Sequence, residues 1–411
     1  MARRTDTTVT DPVLAAARDL TSTIRSAEAA RFELAATWAA QHPAPAEGPV
    51  VDADGFLEMH GDQPVALAGE GAPGMSEFAI GEFAAAIGIS TRAGRDLIGA
   101  ALECKHRLPK TWARVQAGEV PVWKARRVTE RTHRLTMSGA AYVDTHLAPV
   151  LDRCSFAQIE RAVEAAVAEC DDEHFEMTRL DRWSQQHLDI ELTGVRPNNG
   201  LVPVHGLLDY PDALALEAQV AAGAHELLQE FPELDLDTRR AMATGRLLTG
   251  QGTATSRELV IYAHHTPAEA HDIVTIEGVG PTNREQLAEW CRYAGARVSI
   301  RPVVDLDDEL ATDSYRPTAV QREQAILTTP TCVFAHCTRD ARRCDLDHIE
   351  PFDQGGATSS WNLAPLCRLH HRMKTHGHWT YRRLTRTRFE WTSPSGDIYD
   401  VDHTFTRRRI R

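Results

Sequence analysis

Cys332-Val-Phe-Ala-His-Cys337, Cys344-Asp-Leu-Asp-His348, Gly355-Gly356, Asn362 and Cys367-Arg-Leu-His-His-Arg-Met-Lys374 interleave two sets of chemically capable residues in one short stretch. A structural zinc site takes four tetrahedral Cys or His ligands, usually as two short pairs on separate turns. Cys332-x4-Cys337 supplies one pair on a knuckle after Pro330, and Cys367-x2-His370 supplies the other on the first turn of a helix expected over about 366–375. Cys344 is a competing thiolate, but it abuts the Asp-His strand and has no close partner. On the helix, His370 sits about 60° to one side of Cys367 and His371 about 40° to the other. One histidine can therefore join the zinc ligands while the other faces a second site, and the spacing admits either assignment.

That second site would draw on Asp347-His348 and Asn362. A carboxylate and an imidazole can hold a divalent cation against a phosphate, and a second imidazole off the metal can take a proton from water. The joint pattern, with Gly355-Gly356 breaking the loop between strands, resembles the HNH endonuclease module. The resemblance implies a zinc-stapled ββα-metal fold and metal-dependent hydrolysis of DNA phosphodiester bonds. It makes His348 the general base, Asp347 and His371 the ligands of a catalytic Mg²⁺ or other divalent ion, and Asn362 the residue that orients His348 through its backbone. It also puts His370 where the family commonly has the second Cys of a Cys-x2-Cys pair, so the structural zinc falls to Cys332, Cys337, Cys367 and His370. Every position expected to carry the reaction is filled. Phe334-Ala335-His336 departs from the usual Pro-Gly before Cys337 but removes no ligand. Asp345 shares a strand face with Asp347 and either assists the metal or supports the strand. Lys374, one turn beyond His371, is a candidate phosphate contact.

Charge is divided along the 411 residues. The net −13 separates into +5 for residues 330–411, with 14 Lys/Arg against 9 Asp/Glu, and −18 for the rest. A basic C-terminal module on an acidic body suits phosphate contact by the module. Cys332, Cys337, Cys344 and Cys367 cluster, whereas Cys104, Cys154, Cys170 and Cys291 are scattered in expected helices and read as small buried apolar groups. No apolar run approaches the roughly 20 residues of a membrane span, and Met1-Ala-Arg-Arg has no apolar stretch behind it. A cytoplasmic protein is expected.

Upstream, Asp11-Pro12 caps a helix expected to run to about Gln41, with Val13, Ala17, Leu20, Ile24, Ala27, Leu34 and Trp38 on one stripe. Pro43 to Gly74 reads as a loose connection and Met75 to Cys170 as helical throughout. A β-hairpin is expected around Pro197-Asn-Asn-Gly200, then helices at 211–230 and 237–248, strands at 258–263 and 297–304, and a helix near 283–294. Leu108-Pro109, Ala117-Gly-Glu-Val120, Lys124-Ala-Arg126 and Tyr315-Arg-Pro317 resemble a family common in high-GC bacteria, in which a long helical domain of unknown function precedes the HNH module.

Two features point to a docking role for that region. Glu82 to Ile98 has the small residue, central Gly88 and spaced apolar positions of a helix-turn-helix, and residues 105–134 carry nine Lys/Arg against two acids. They nominate Arg126 and Arg127 as DNA contacts, against a plain helical hairpin with a solvated basic face. Beyond Lys374, alternating Trp379, Tyr381, Phe389 and Trp391 suggest a hairpin closing around Leu384–Arg388.

The resulting reading is an α+β protein. Residues 11–305 form a mostly helical domain with a small β element, of docking or regulatory role, and 306–329 a linker and lead-in helix. Residues 330–395 form the nuclease domain and 396–411 a basic tail. Its partner is DNA. The rival is a non-catalytic zinc-containing DNA-binding protein that keeps the HNH fold.

Overall fold

A computed structural model describes residues 11–45, 61–170, 186–190, 201–250, 306–402 and 405–409, with short pieces at 263–264, 273–276, 280–283, 285, 286 and 288. The chain forms two compact units, one from residues 1–175 with 304–411 and the other from 176–303. No described helix is long and apolar enough to cross a membrane.

The first unit opens with α1 (Pro12–Gln41), whose N-cap Asp11 accepts hydrogen bonds from the Val13 and Leu14 amides. The expected stripe on α1 is not its buried face. Val13, Leu20, Ile24 and Leu34 are exposed, and the helix instead buries Phe32, Ala35, Ala36 and Ala39. Small residues win because α1 lies close along α3 (Thr91–Arg107), where a stripe of bulky side chains would hold the helices apart. Of the expected stripe, Trp38 packs against the core and donates from Nε1 to the Ala79 carbonyl, 2.9 Å away.

Helices α2 (Glu77–Ala86), α3, α4 (Pro109–Gln116), α5 (Val122–Thr132), α6 (Met137–Leu147) and α7 (Phe156–Cys170) complete the bundle around one apolar cluster. The turn between α2 and α3 needs the positive φ of Gly88, +77°. A helix-turn-helix is therefore present as a local shape.

The C-terminal part of the same unit begins with α8 (Ala319–Thr328), started by a Thr318/Gln321 capping box. Strand Asp345–His348 pairs antiparallel with Leu363–Leu366, His348 opposite Leu363 and Asp345 opposite Leu366. Helix α9 (Arg368–His376) follows at once, giving the expected ββα order. A short strand, Thr358–Ser359, pairs with Ala311–Thr312 from the lead-in segment.

A four-stranded antiparallel sheet closes the chain: Thr380–Arg383, Phe389–Thr392, Ile398–Val401 and Thr406–Arg408. The segment expected as a basic tail is thus partly built into the fold. Two of its arginines are paired at the sheet, Arg408 with Asp397 at 2.8 Å and Arg409 with Asp400 and Glu390 at 2.7 Å each. Trp379, Tyr381, Phe389 and Trp391 are buried in the core of this module.

The helical bundle and the nuclease module are also not separated by the linker expected at 306–329. Phe78 and Ala85 of α2 belong to the same apolar cluster as Met373, Trp379 and Trp391. Alternation and periodicity show how wide an apolar face is but not what covers it, so the sequence reading drew a boundary where the folded chain has a shared core.

The second unit contains a hairpin, His187–Ile190 with Val204–Leu207, and a helix pair, Tyr210–Glu230 and Leu236–Gly250, joined by Ala224, Leu227 and Ala243. The helices agree with those expected at 211–230 and 237–248. The turn at 197–200, the strand at 297–304, Cys170's side chain and Cys291 lie outside the described residues, as does most of the strand at 258–263 and the helix near 283–294.

Candidate active site

The knuckle and the start of α9 bring Cys332, Cys337, Cys367 and His370 together, with their ligand atoms within 4.8 Å of one another. Cys367 is the N-cap of α9, so its sulfur and the His370 ring one turn later face the same side. His370 Nδ1 lies 3.2 Å from Cys367 Sγ and 3.5 Å from Cys332 Sγ. Phe334 stacks on the imidazole with centroids 3.9 Å apart and holds the plane of the ring.

Hydrogen bonds from the Cys332 and Cys337 thiols and from His370 hold the Cys367 thiol far below its ordinary range, while burial pushes Cys332 up. Burial opposes charge on His370, but the Cys337 and Cys367 sulfurs overcome it and raise its pKa to about 9. The donor set, three sulfurs and one imidazole nitrogen at tetrahedral reach, suits a metal such as zinc. Cys344 stays outside it: its thiol donates to the Asp340 carbonyl at 3.3 Å. Of the two histidines whose spacing allowed either assignment, the helix turns His370 to the sulfurs and His371 away.

His371 points into a second cluster on the ββα frame. Its Nε2 lies 3.1 Å from Asp347 Oδ1 and its Nδ1 3.2 Å from Asp345 Oδ2, because residues two apart on a strand share a face. The Asp347 hydrogen bond, against the opposing effect of burial, raises the pKa of His371, and Asp345 adds to the shift. Asp347 is itself buried and heavily engaged. Tyr381 Oη donates to its Oδ2 at 2.8 Å, and Lys374 Nζ lies 3.2 Å from its Oδ1 and 2.8 Å from the His348 carbonyl.

His348, next on the strand, faces the other way. Its Nε2 lies 2.8 Å from Thr358 Oγ1, and Tyr315 stacks on its ring at 5.4 Å and 17°. Burial, reinforced by the Lys374 and His371 charges and opposed by Asp347, lowers its pKa. Asn362 staples the loop that follows. Its Oδ1 accepts from the Glu350 amide at 2.8 Å, its Nδ2 donates to the Glu350 and Ala357 carbonyls, and its own carbonyl accepts from the Ile349 amide at 2.8 Å. Gly356 is needed there, since a Cβ would lie 1.9 Å from the Glu350 carbonyl oxygen.

Thr358, Tyr315 and Tyr381 had not been singled out as site residues. Each is brought in by pairing between segments distant in the chain, and only the alternation of Tyr381 with its neighbours hinted at an inward position. In the helical bundle several residues of the basic stretch are used on the protein itself. Arg127 pairs with Glu130 and Glu160 and lies over the Phe156 ring. Lys124 Nζ caps the Leu151, Asp152 and Cys154 carbonyls, and Arg107 is buried against Glu103. Arg126 is half-buried on the same helix. The turn-proximal end of α3, which a DNA-reading helix would insert into a groove, has Thr91 buried against His370. These contacts tie Arg107, Lys124 and Arg127 to the protein's own acids and carbonyls, and docking of DNA on α2–α5 stays a proposal.

Residues 332–377 match the HNH endonuclease family, and residues 66–243 match a domain of unknown function, DUF222. The pairing is that of the high-GC bacterial branch. The chain is similar to the uncharacterized protein Rv3776 of Mycobacterium tuberculosis, 26% identical over 371 residues that cover 78% of this chain and 69% of the relative. It is also similar to the uncharacterized protein Rv2100 of that species, 38% identical over 140 residues, 33% of this chain and 24% of the relative. No solved structure matches it.

Proposed function

We propose that this chain, an HNH endonuclease domain behind a DUF222 domain, hydrolyses DNA phosphodiester bonds with a divalent metal ion. The contact that carries the reading is Asp347 Oδ1 to His371 Nε2, 3.1 Å across the strand–helix junction, with His348 turned to the other face of the same strand. Asp347 and His371 would hold the ion, and a bound ion would neutralise charge on the scissile phosphate and the leaving 3′ oxygen.

His348 takes the proton from the attacking water, whose oxygen bonds to phosphorus as the bond to the 3′ oxygen breaks. Its lowered pKa keeps the imidazole neutral and ready to accept at neutral pH. With Nε2 tied to Thr358, Nδ1 is the nitrogen that receives the proton. Asn362 keeps the loop after His348 from moving the base. Lys374, now paired with Asp347, would turn to phosphate when an ion takes that carboxylate. Cys332, Cys337, Cys367 and His370 would hold a zinc ion that ties the knuckle to α9, away from the reacting groups.

The test is full-length protein with supercoiled plasmid, with and without Mg²⁺ or Mn²⁺. Nicked or linear product should form only with metal, and His348→Ala should cut about 10²–10⁴-fold more slowly while retaining zinc. Plasmid that is bound by the parent yet never cut would instead support the non-catalytic DNA-binding reading.

A further inference from the structure

We infer that Thr91, on the first turn of α3 in the helical bundle, is a positioning residue for the zinc ligand His370, so that the DUF222 region completes the metal site of the HNH module. The inference rests on the zinc reading above. With Nδ1 turned to the sulfurs, the far nitrogen of the ring, Nε2, lies 2.9 Å from Thr91 Oγ1 across 279 residues of sequence. Both side chains are buried. Thr91 is the one partner of Nε2 among the described residues, and burial keeps bulk water from replacing it.

A metal-bound histidine normally donates its second ring N–H to an acceptor, which fixes the tautomer and makes the ligating nitrogen a better donor. Here Nε2–H donates to the threonine oxygen, Phe334 holds the ring plane, and Nδ1 keeps its lone pair for the metal.

The surrounding contacts place Thr91 there. Ser90 caps α3 by accepting from the Ala93 amide at 3.3 Å, and Gly88 makes the turn that brings it down from α2. On α9, His370, Met373 and Gly377 fall on one stripe toward the bundle. Met373 sits over Gly81, where a Cβ would come within 2.4 Å of its terminal methyl. Arg372 pairs with Glu77 at 2.9 Å, and Glu82 accepts from the Ser395 amide at 2.9 Å. The end of α3 that resembles a recognition helix serves the metal site in place of a DNA groove.

The test uses full-length protein loaded with zinc, and reads zinc affinity by competition with a colorimetric chelator at neutral pH. Thr91→Val keeps the shape and removes the acceptor, and its zinc affinity should fall about 10–100-fold. Thr91→Ser restores the hydroxyl and should return affinity to within about threefold of the parent, inside the tenfold floor expected for losing such a partner. The Co²⁺-loaded valine variant should show a shifted ligand-field band.

Equal zinc affinity in parent and Thr91→Val overturns the inference, as does Thr91→Ser behaving like valine, since packing alone would then explain the loss. A parent that holds no zinc refutes the zinc reading instead, a distinguishable failure. If Thr91→Val does not fold, the parent still decides. Nitrogen NMR of its histidine side chains should show His370 protonated at Nε2 with a slowly exchanging proton, and protonation at Nδ1 or rapid exchange overturns the inference.

Discussion

Asp345 separates two readings that its position on the strand leaves open, a support for the strand or a support for the metal. Its Oδ2 lies 3.2 Å from His371 Nδ1, so His371 Nε2 is the nitrogen turned to Asp347 and to any ion held there. Asp345→Asn keeps the side-chain shape and a hydrogen-bond acceptor but removes the charge. Loss of such a supporting partner typically weakens metal binding about 10–100-fold. The Asp345 side chain is 32% exposed and shares its other oxygen with Arg368 at 3.3 Å, so solvent and a counter-ion already screen it. The lower end applies, about tenfold, or about 1.4 kcal/mol. Free Mn²⁺ counted by electron paramagnetic resonance during titration gives the affinity directly, and plasmid cleavage against Mg²⁺ concentration gives the consequence. The half-saturating Mg²⁺ should rise about tenfold, while the rate at saturation stays near the parent's and zinc content is unchanged. Metal affinity equal to the parent's, or loss of zinc with the fold, would refute the reasoning and return Asp345 to strand support.

Two further outcomes follow from the charges around the site. His348 has its pKa lowered from the ordinary 6.5, chiefly by burial, and the proposed reaction uses it as a neutral base. At saturating metal the cleavage rate should be flat through neutral pH and fall about tenfold per unit only below that depressed value; an acidic limb centred above 7 would remove His348 as the base. Arg127→Gln breaks ion pairs to Glu130 and Glu160 and a ring contact with Phe156. Its half-exposed setting makes that a stability loss of about 1 kcal/mol in denaturant unfolding. The salt slope of DNA binding should not change, whereas a slope shallower by about one would mean that Arg127 does meet phosphate.

The grouping of the candidate metal-binding residues could be read from the sequence because it is local. Cys332 and Cys337 share one knuckle, Cys367 and His370 one helical turn, and Asp345 and Asp347 one strand face, so spacing alone determines which side chains can meet. Asn362 was legible as a member of the set, but its reach to Glu350 and Ala357 depended on where the loop folds back. Thr358 was not legible at all, and Tyr315 only as part of a family motif, with no sign of its place against His348. Thr358 meets His348 only because its strand pairs with Ala311–Thr312 and its carbonyl accepts from buried Gln321 at 2.9 Å, contacts carried by side chains with no distinctive spacing.

The same limit applies to the helical bundle. Glu82 to Ile98 does form two helices about Gly88, and the basic residues after it lie on helices as expected. A pattern of charge and apolar period describes a surface as it would be in isolation. It carries no information about Glu103 waiting for Arg107, Glu160 for Arg127, or the carbonyls that Lys124 caps. Helix α9 shows how much can be loaded onto one short element once its neighbours are in place. His370 with Cys367 faces the sulfurs, His371 and Lys374 face Asp347, and Arg372 and Met373 face Glu77 and Gly81. At 3.6 residues per turn, nine residues reach all of these partners from one short helix. Docking of the bundle, the Cys/His cluster at the knuckle and the geometry at Asp347 are therefore linked through α9. A substitution at Gly81 that lifts Met373 should be felt at His370 and at His371 alike.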